Sequence, residues 1–316
     1  MKMSKLRCVN LTVATDIRGM GGIATVLDVY KDSGFFDRWN TLLVATHSGN
    51  KILGLLGGFL LYFFAVIKII FLFLFSFRKV GIVHIHMSSR GSYFRKFIIV
   101  RLAKFLGGKV VLHLHSGEFH RFYSQECNQK KKAHIRETFD LADVVIVISS
   151  QWLEWAKKTL NSSDHVRLVY NAVPKLQLNR DDAQKGEIAF LGRIGKNKGV
   201  LDLIHAFSKV KKACPAATLK LAGDGEIDSY NKVVSELGLT DSVDFLGWIS
   251  GKEKELLLSS ADIYCLPSYN EGFPMGVLEA MSAGIAVVAS KAGGIPDAIE
   301  HGKEGLLIDA GDVDAL

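Results

Sequence analysis

The chain has 316 residues, 48% apolar and 22% charged, with a net charge of +7 and five prolines. Those totals exclude a disordered or low-complexity chain and fit one large or two medium packed domains. Four scattered cysteines, Cys8, Cys127, Cys214 and Cys265, give neither a metal-ligand spacing nor a disulfide framework.

The charge is uneven. Residues 1–170 hold 24 Lys and Arg against 11 Asp and Glu, a balance of +13, and residues 171–316 hold 15 against 21, a balance of −6. A basic half suits phosphorylated ligands, an anionic membrane surface or nucleic acid. Nucleic acid is set aside, because no recognition motif or Arg-rich aromatic platform is present. The amino-terminal stretch lacks the long apolar core of a signal peptide and reads as a first strand.

In chain order, continuous Val/Ile/Leu runs at 7–15, 41–46, 81–87, 109–115, 143–149 and 165–170 read as buried parallel strands. Helical patterns lie between them, at 92–106 and 125–140 for example. A polar stretch at 173–186 reads as a linker. Strands then restart at 187–192, 218–223, 243–247, 261–267, 285–290 and 304–310. The expected fold is α/β, with two Rossmann-like domains facing a cleft, one over 1–172 and one over 187–316.

One segment stands apart. Residues 52–77 are apolar except for Lys68 and long enough to span a bilayer. A single crossing would put strands 7–15 and 41–46 on the other side from every later strand, so they could not share a sheet. Plotted at about 100° per residue, Gly54, Gly57, Gly58, Ala65, Lys68 and Ser76 share one face, with Leu61 and Leu72 between them. That face is expected to dock on the domain. The greasy remainder, including Phe63 and Phe71, is expected to enter one leaflet. Arg78 and Lys79 follow, then Arg90, Arg95, Lys96, Arg101, Lys104 and Lys109, a set that would attract anionic headgroups.

The sharpest chemical signal is "NEGFPMGVLEA", residues 270–280. Pro274 suits the first turn of a helix beginning near Phe273 to Gly276, after the Gly272 turn. Its free N–H groups would face an anion. Glu271 and Glu279 make good acceptors for sugar and ribose hydroxyls. In "LGRIGKNKG", residues 191–199, Arg193 and Lys198 could neutralise a diphosphate leaving group. "RGMGGIA", residues 18–24, matches G-x-G-x-x-A at Gly19, Gly21 and Ala24. No acidic residue ends the second strand, which disfavours a nicotinamide cofactor. Four histidines fall at strand ends, His84 and His86 on one face, His113 and His115 likewise. His86 and His115 come last and nearest the ligand end. His84 and His113 are expected to be satisfied core residues. No metal site is expected, for want of HExxH, and Asp312 and Asp314 read as a helix start.

Taken in order, Gly21-Gly22, "VHIH" (83–86), "HLHSGEF" (113–119), "GRIGKNKG" (192–199), "AGDGE" (222–226), "FLGW" (245–248) and Glu271-x7-Glu279 resemble the retaining GT-B glycosyltransferases of family 4. The first half is most similar to bacterial polysaccharide and O-antigen enzymes. The resemblance implies transfer of a sugar from a nucleotide diphosphate sugar, UDP- or GDP-linked, to a polyprenyl-linked saccharide. It would place the chain in the cytoplasm, peripheral on the inner face of the cell membrane, with no cofactor and no essential metal. It puts Gly22 under the donor diphosphate and His115 near the reacting carbon. Arg193 and Lys198 would hold the diphosphate, Trp248 and Ile249 would border the base, Glu271 would bind the sugar and Glu279 the ribose. Gly21, Gly192, Asp224, Gly272, Phe273, Pro274 and Met275 would complete the donor site, with His86 and Arg90 on the acceptor side. The family continues past "GDVDAL" into further helices, so the chain is expected to lack that end. Two alternatives stay open: a catalytically impaired, membrane-associated sugar-nucleotide-binding subunit, and a sugar-nucleotide epimerase on the same fold.

Overall fold

The computed structural model describes residues 8–48, 54–76, 79–180 and 183–316. The chain divides into two compact units, Met1–Asn171 and Ala172–Leu316.

The first unit is a six-stranded parallel sheet: β1 (Cys8–Ala14), β2 (Thr41–Ala45), β3 (Lys79–Met87), β4 (Lys109–Leu114), β5 (Val144–Val147) and β6 (Val166–Leu168). Their order is β2-β1-β3-β4-β5-β6. The chain reverses direction across the sheet between β1 and β3, the switch point at which open α/β sheets bind ligands. The second unit holds β7 (Glu187–Leu191), β8 (Thr218–Ala222), β9 (Val243–Gly247), β10 (Ile263–Leu266), β11 (Ala286–Ser290) and β12 (Leu306–Ile308). The order β12-β11-β10-β7-β8-β9 puts its switch point between β7 and β10. Every expected strand forms. The inner strands are buried on both faces, which is why they read as unbroken apolar runs.

The linker reading covers a segment that packs on the second unit. Leu176 and Leu178 lie against its core. The Leu176 amide donates to Ser282 Oγ at 2.9 Å, and an Arg180 guanidinium nitrogen donates to the Ala261 carbonyl at 2.7 Å. The carboxyl end turns at 309–315, and the Asp312 carbonyl accepts the Leu316 amide at 3.1 Å, the first bond of the expected helix start. Asp312 Oδ1 accepts the Ala315 amide at 3.0 Å, and Asp314 pairs with Lys209.

The apolar segment forms the helix Gly54–Phe75, long and apolar enough to cross a membrane. It stands between β2 and β3, yet β1 hydrogen-bonds to both of those strands. A single crossing is therefore excluded, because both its flanks return to one sheet. Among its described side chains only Ala65 and Ile69 are buried, while Phe59, Phe63, Phe64, Phe71, Leu74 and Phe75 are exposed. Tyr62 Oη donates to the Arg95 carbonyl at 2.9 Å. The docking stripe thus runs through Tyr62, Ala65 and Ile69, at helical spacing. Lys68, assigned to the docking face from the sequence, is exposed. Ala65 is buried as expected of that face. Arg78 lies outside the described residues, and Lys79 opens β3 as an exposed residue.

The basic set after this helix is less available than its sequence suggests. Arg90 pairs with Glu118 and Glu126, Arg101 with Glu137, and Lys104 and Lys109 with Asp143. Lys96 is 2% exposed. Ile69→Ala is expected to destabilise the first unit by about 2–4 kcal/mol. Phe71→Ala should stay within about 0.5 kcal/mol. Denaturant unfolding of the two variants in detergent-free buffer tests this contrast.

Candidate functional site

In the second unit, the loops after β7 and β10 emerge side by side at the switch point. The first carries Lys198 and the second Glu271. Lys198 Nζ and Glu271 Oε1 lie 2.5 Å apart, and Ser268 Oγ donates to the same oxygen at 2.7 Å. The backbone locks the two loops together, since the Tyr269 amide donates to the Asn197 carbonyl at 2.9 Å. Gly199 ends the first loop at φ 67°, with the Pro267 carbonyl where a side chain would begin. Only glycine meets both demands. Across from it, the Gly294 amide donates to the Gly272 carbonyl at 2.9 Å.

The helix Met275–Ser282 follows, with Pro274 at its amino-terminal boundary. Glu271 and Glu279 are 7% and 8% exposed. Buried carboxylates need partners. Glu271 has Lys198 and Ser268. Glu279 has Lys254, whose Nζ lies 2.6 Å from Oε1. Beneath Gly276 sits buried Tyr264, whose hydroxyl donates to the Leu191 carbonyl at 3.2 Å. Burial, then the two glutamates, push its phenol well above the usual range, so it stays neutral. Phe273 and Met275 are buried in the turn.

The loop after β7 is also tied to the loop after β8. The Gly192 amide donates to the Ala222 carbonyl, and the Ile194 amide donates to the Asp224 carbonyl at 2.7 Å, which ties "GRIGKNKG" to "AGDGE". Arg193 is exposed on that loop, and Trp248 and Ile249 follow β9, Trp248 exposed and Ile249 partly so. Ser268 and Lys254 had no sequence signal. Ser268 precedes Glu271 by three residues, and Lys254 lies in the helix Gly251–Ser260 after β9.

In the first unit, Gly21 caps the helix Gly22–Asp32 at φ 108°, directly after β1. Space around Gly21 and Gly22 is open to at least 4 Å from any added side chain, so a ligand can reach the backbone there. Across the switch point, His86 Nδ1 and His115 Nε2 are 2.8 Å apart, and His84 Nε2 and His113 Nδ1 3.2 Å apart. Burial holds these imidazoles neutral, with His115 lowered to about 3 and His84 to about 4. His113 is not the satisfied core residue expected, because its Nε2 is buried without a partner. Arg90 adopts φ 52°, its guanidinium 2.5 Å from both Glu118 and Glu126. Buried Lys96 contacts Thr46 Oγ1, and burial lowers its ammonium to about 7.

Residues 176–316 match the family model described as Glycosyl transferases group 1, and residues 29–175 match that described as Glycosyltransferase Family 4. The chain therefore has the GT-B fold, its first half matching a family 4 glycosyltransferase domain and its second a group 1 domain, and it spans less than two thirds of the curated relative's length. An uncharacterized glycosyltransferase of Methanocaldococcus jannaschii is 28% identical over 249 residues, covering 73% of this chain and 62% of that protein. The crystal structure of Anabaena HepE in complex with UDP is similar at a TM-score of 0.67 and 19% identity, covering 97% of this chain and 87% of that one. The apo lipopolysaccharide outer core galactosyltransferase WaaB is similar at 0.64 and 20%, with the same coverages. At those identities the two structures establish the fold.

Two outcomes are expected from this geometry. Lys198→Met, which strands Glu271 beside Ser268, should cost the second unit about 2 kcal/mol or more. Adding Glu271→Gln should recover part of that loss, as a double-mutant cycle by urea unfolding of the full chain will read. For Lys96, the unfolded chain binds the proton up to about pH 10.4 while the folded chain releases it near 7. This group therefore makes stability rise with pH between those values. The stability advantage of Lys96→Met over wild type should shrink as pH goes from 7 to 10.

Proposed function

We propose that the chain transfers a sugar, with retention of anomeric configuration, from a nucleoside diphosphate sugar to a lipid-linked saccharide in cell-surface polysaccharide synthesis. The observation that carries this reading is the pair of buried, lysine-held glutamates at the switch point of the group 1 domain. Carboxylates so placed are acceptors for hydroxyls and poor neighbours for phosphate. Lys198 and Arg193 supply the positive charge that a diphosphate needs. Glu279 takes the ribose and Glu271 the transferred sugar. The bond from the sugar's anomeric carbon to the diphosphate oxygen breaks, and the acceptor oxygen bonds to that carbon from the same face. The acceptor proton passes to the leaving phosphate oxygen. Lys198 then shares its charge between Glu271 and the departing diphosphate, whose transition-state charge is greater than in the bound donor. In the first unit, the open Gly21-Gly22 turn leaves backbone that an anion can approach. UDP and a lipopolysaccharide glycan are what the two solved neighbours name, and they make uridine the first base to test.

The lipid acceptor rests on the helix Gly54–Phe75. Its row of exposed phenylalanines and leucines, with both flanks returning to one sheet, suits a helix lying in one leaflet. On this reading the chain works at the cytoplasmic face of the membrane.

A thermal-shift panel with UDP and GDP, followed by transfer to a polyprenyl diphosphate saccharide in vesicles, tests the reading. One nucleotide should stabilise the chain. Glu279→Gln should weaken that nucleotide by about ten- to a hundredfold, the loss of one charge-assisted hydrogen bond. Glu271→Ala should cut transfer by about a hundredfold or more. Full transfer by Glu271→Ala would falsify the assignment. Flotation of the chain with vesicles, lost on Phe63→Ser with Phe71→Ser, tests the membrane role separately.

A further inference from the structure

β3 and β4 pair in parallel register with His86 opposite His113. The two-residue alternation of a strand adds His84 and His115 to the same face. Four imidazoles therefore stack in one ladder, with ring centroids 4.3 Å apart for His84 and His86, 5.1 Å for His86 and His113, and 3.9 Å for His113 and His115. Tyr30, from the helix Gly22–Asp32, covers it at 5.8 Å from His86.

The ladder does not satisfy itself. The two histidine–histidine contacts engage one nitrogen from each ring. His86 Nε2 and His113 Nε2 are left buried and without a partner, in residues 1% and 2% exposed. An orphaned buried nitrogen is costly to the fold unless something binds it. No carboxylate shares a hydrogen bond with any of the four rings among the described contacts. What the cluster offers is lone pairs on neutral imidazoles.

We propose that His84, His86 and His113 bind one divalent transition-metal ion of the zinc class. One ring nitrogen from each lies within 4.8 Å of the other two. A tetrahedral zinc site with bonds of about 2.0–2.1 Å sets its nitrogens about 3.3 Å apart. His84 Nε2 and His113 Nδ1 stand 3.2 Å apart already, and His86 offers Nε2, the buried nitrogen that its contact with His115 leaves free. An all-imidazole set favours zinc, copper or nickel over magnesium or calcium. His115, bonded to His86 Nδ1, holds that ring from behind, as the outer partners of metal-bound histidines do. His84 is partly exposed and gives the ion a way in. Lys96 is the cation facing His86 and opposes the metal's charge. Its lowered proton affinity limits that opposition near neutral pH. Bound metal would tie β3 to β4 and fix His86, and through it His115. The proposal does not depend on the transfer reaction.

The test uses the full chain, stripped with a chelator and titrated with Co²⁺, then with Zn²⁺ in competition. One equivalent of Co²⁺ should give the intense visible bands of a tetrahedral site, and Zn²⁺ should erase them and raise the melting temperature. His113→Ala and His84→Asn should each weaken binding at least about tenfold, and His301→Ala, in the second unit, should leave it unchanged. If His113→Ala does not fold, His84→Asn at the partly exposed position decides. No saturable tetrahedral spectrum, or full affinity in His84→Asn, overturns the proposal.

Discussion

The contact between Lys198 and Glu271 joins the loop after β7 to the loop after β10, and the second unit's candidate site depends on that junction. A carboxylate this deeply buried is stable only with a cation and a hydroxyl on it. Strand order supplies the nearness, because β7 and β10 are neighbours in the sheet though some 70 residues apart in sequence. Gly199 lets the first loop press against the Pro267 carbonyl, and the Tyr269 amide reaches the Asn197 carbonyl. Four backbone and side-chain constraints thus fix one carboxylate. The helix after it begins in a defined direction and carries Glu279 to a lysine of its own.

The first unit uses the same rule with different residues. Its switch point lies between β1 and β3, where a glycine turn faces a ladder of histidines. The sheet is buried, so polar side chains gather at the ends of its strands. The apolar helix enters between β2 and β3 without breaking the sheet, because β1 bonds to both. That topology makes the greasy surface a face of the domain and denies it the role of a bilayer crossing.

Much of this was legible in the residues. Twelve Val/Ile/Leu runs gave twelve strands, since a strand covered on both faces has no polar alternation to confuse its reading. Glu271, Glu279, Lys198 and the Gly21 turn stood out because each sits where a strand hands over to a helix. Lys254 did not, because an ordinary lysine on a helix reaches Glu279 only through the fold, and Ser268, three residues before Glu271, is an ordinary loop serine until the turn aims its hydroxyl at that carboxylate. Lys96 was read as a surface cation, as most lysines are, and tertiary contact buries it. Lys68 was set on the docking face by a periodicity that could not tell which edge of the small-residue stripe meets the sheet.

By itself the sequence determined the parallel architecture, the places where strands hand over to glycine-bordered and charged loops, and the presence of one segment long and apolar enough to span a bilayer. These follow from local patterns, of hydrophobicity, glycine and charge, that act over a few residues. Only the tertiary structure decided which lysine holds which glutamate, which cations are already paired and which side of the apolar helix stays exposed. It also decided that four histidines stand in one row with two nitrogens unsatisfied. Strand register and strand order set those facts, and they bring together residues that no local pattern relates.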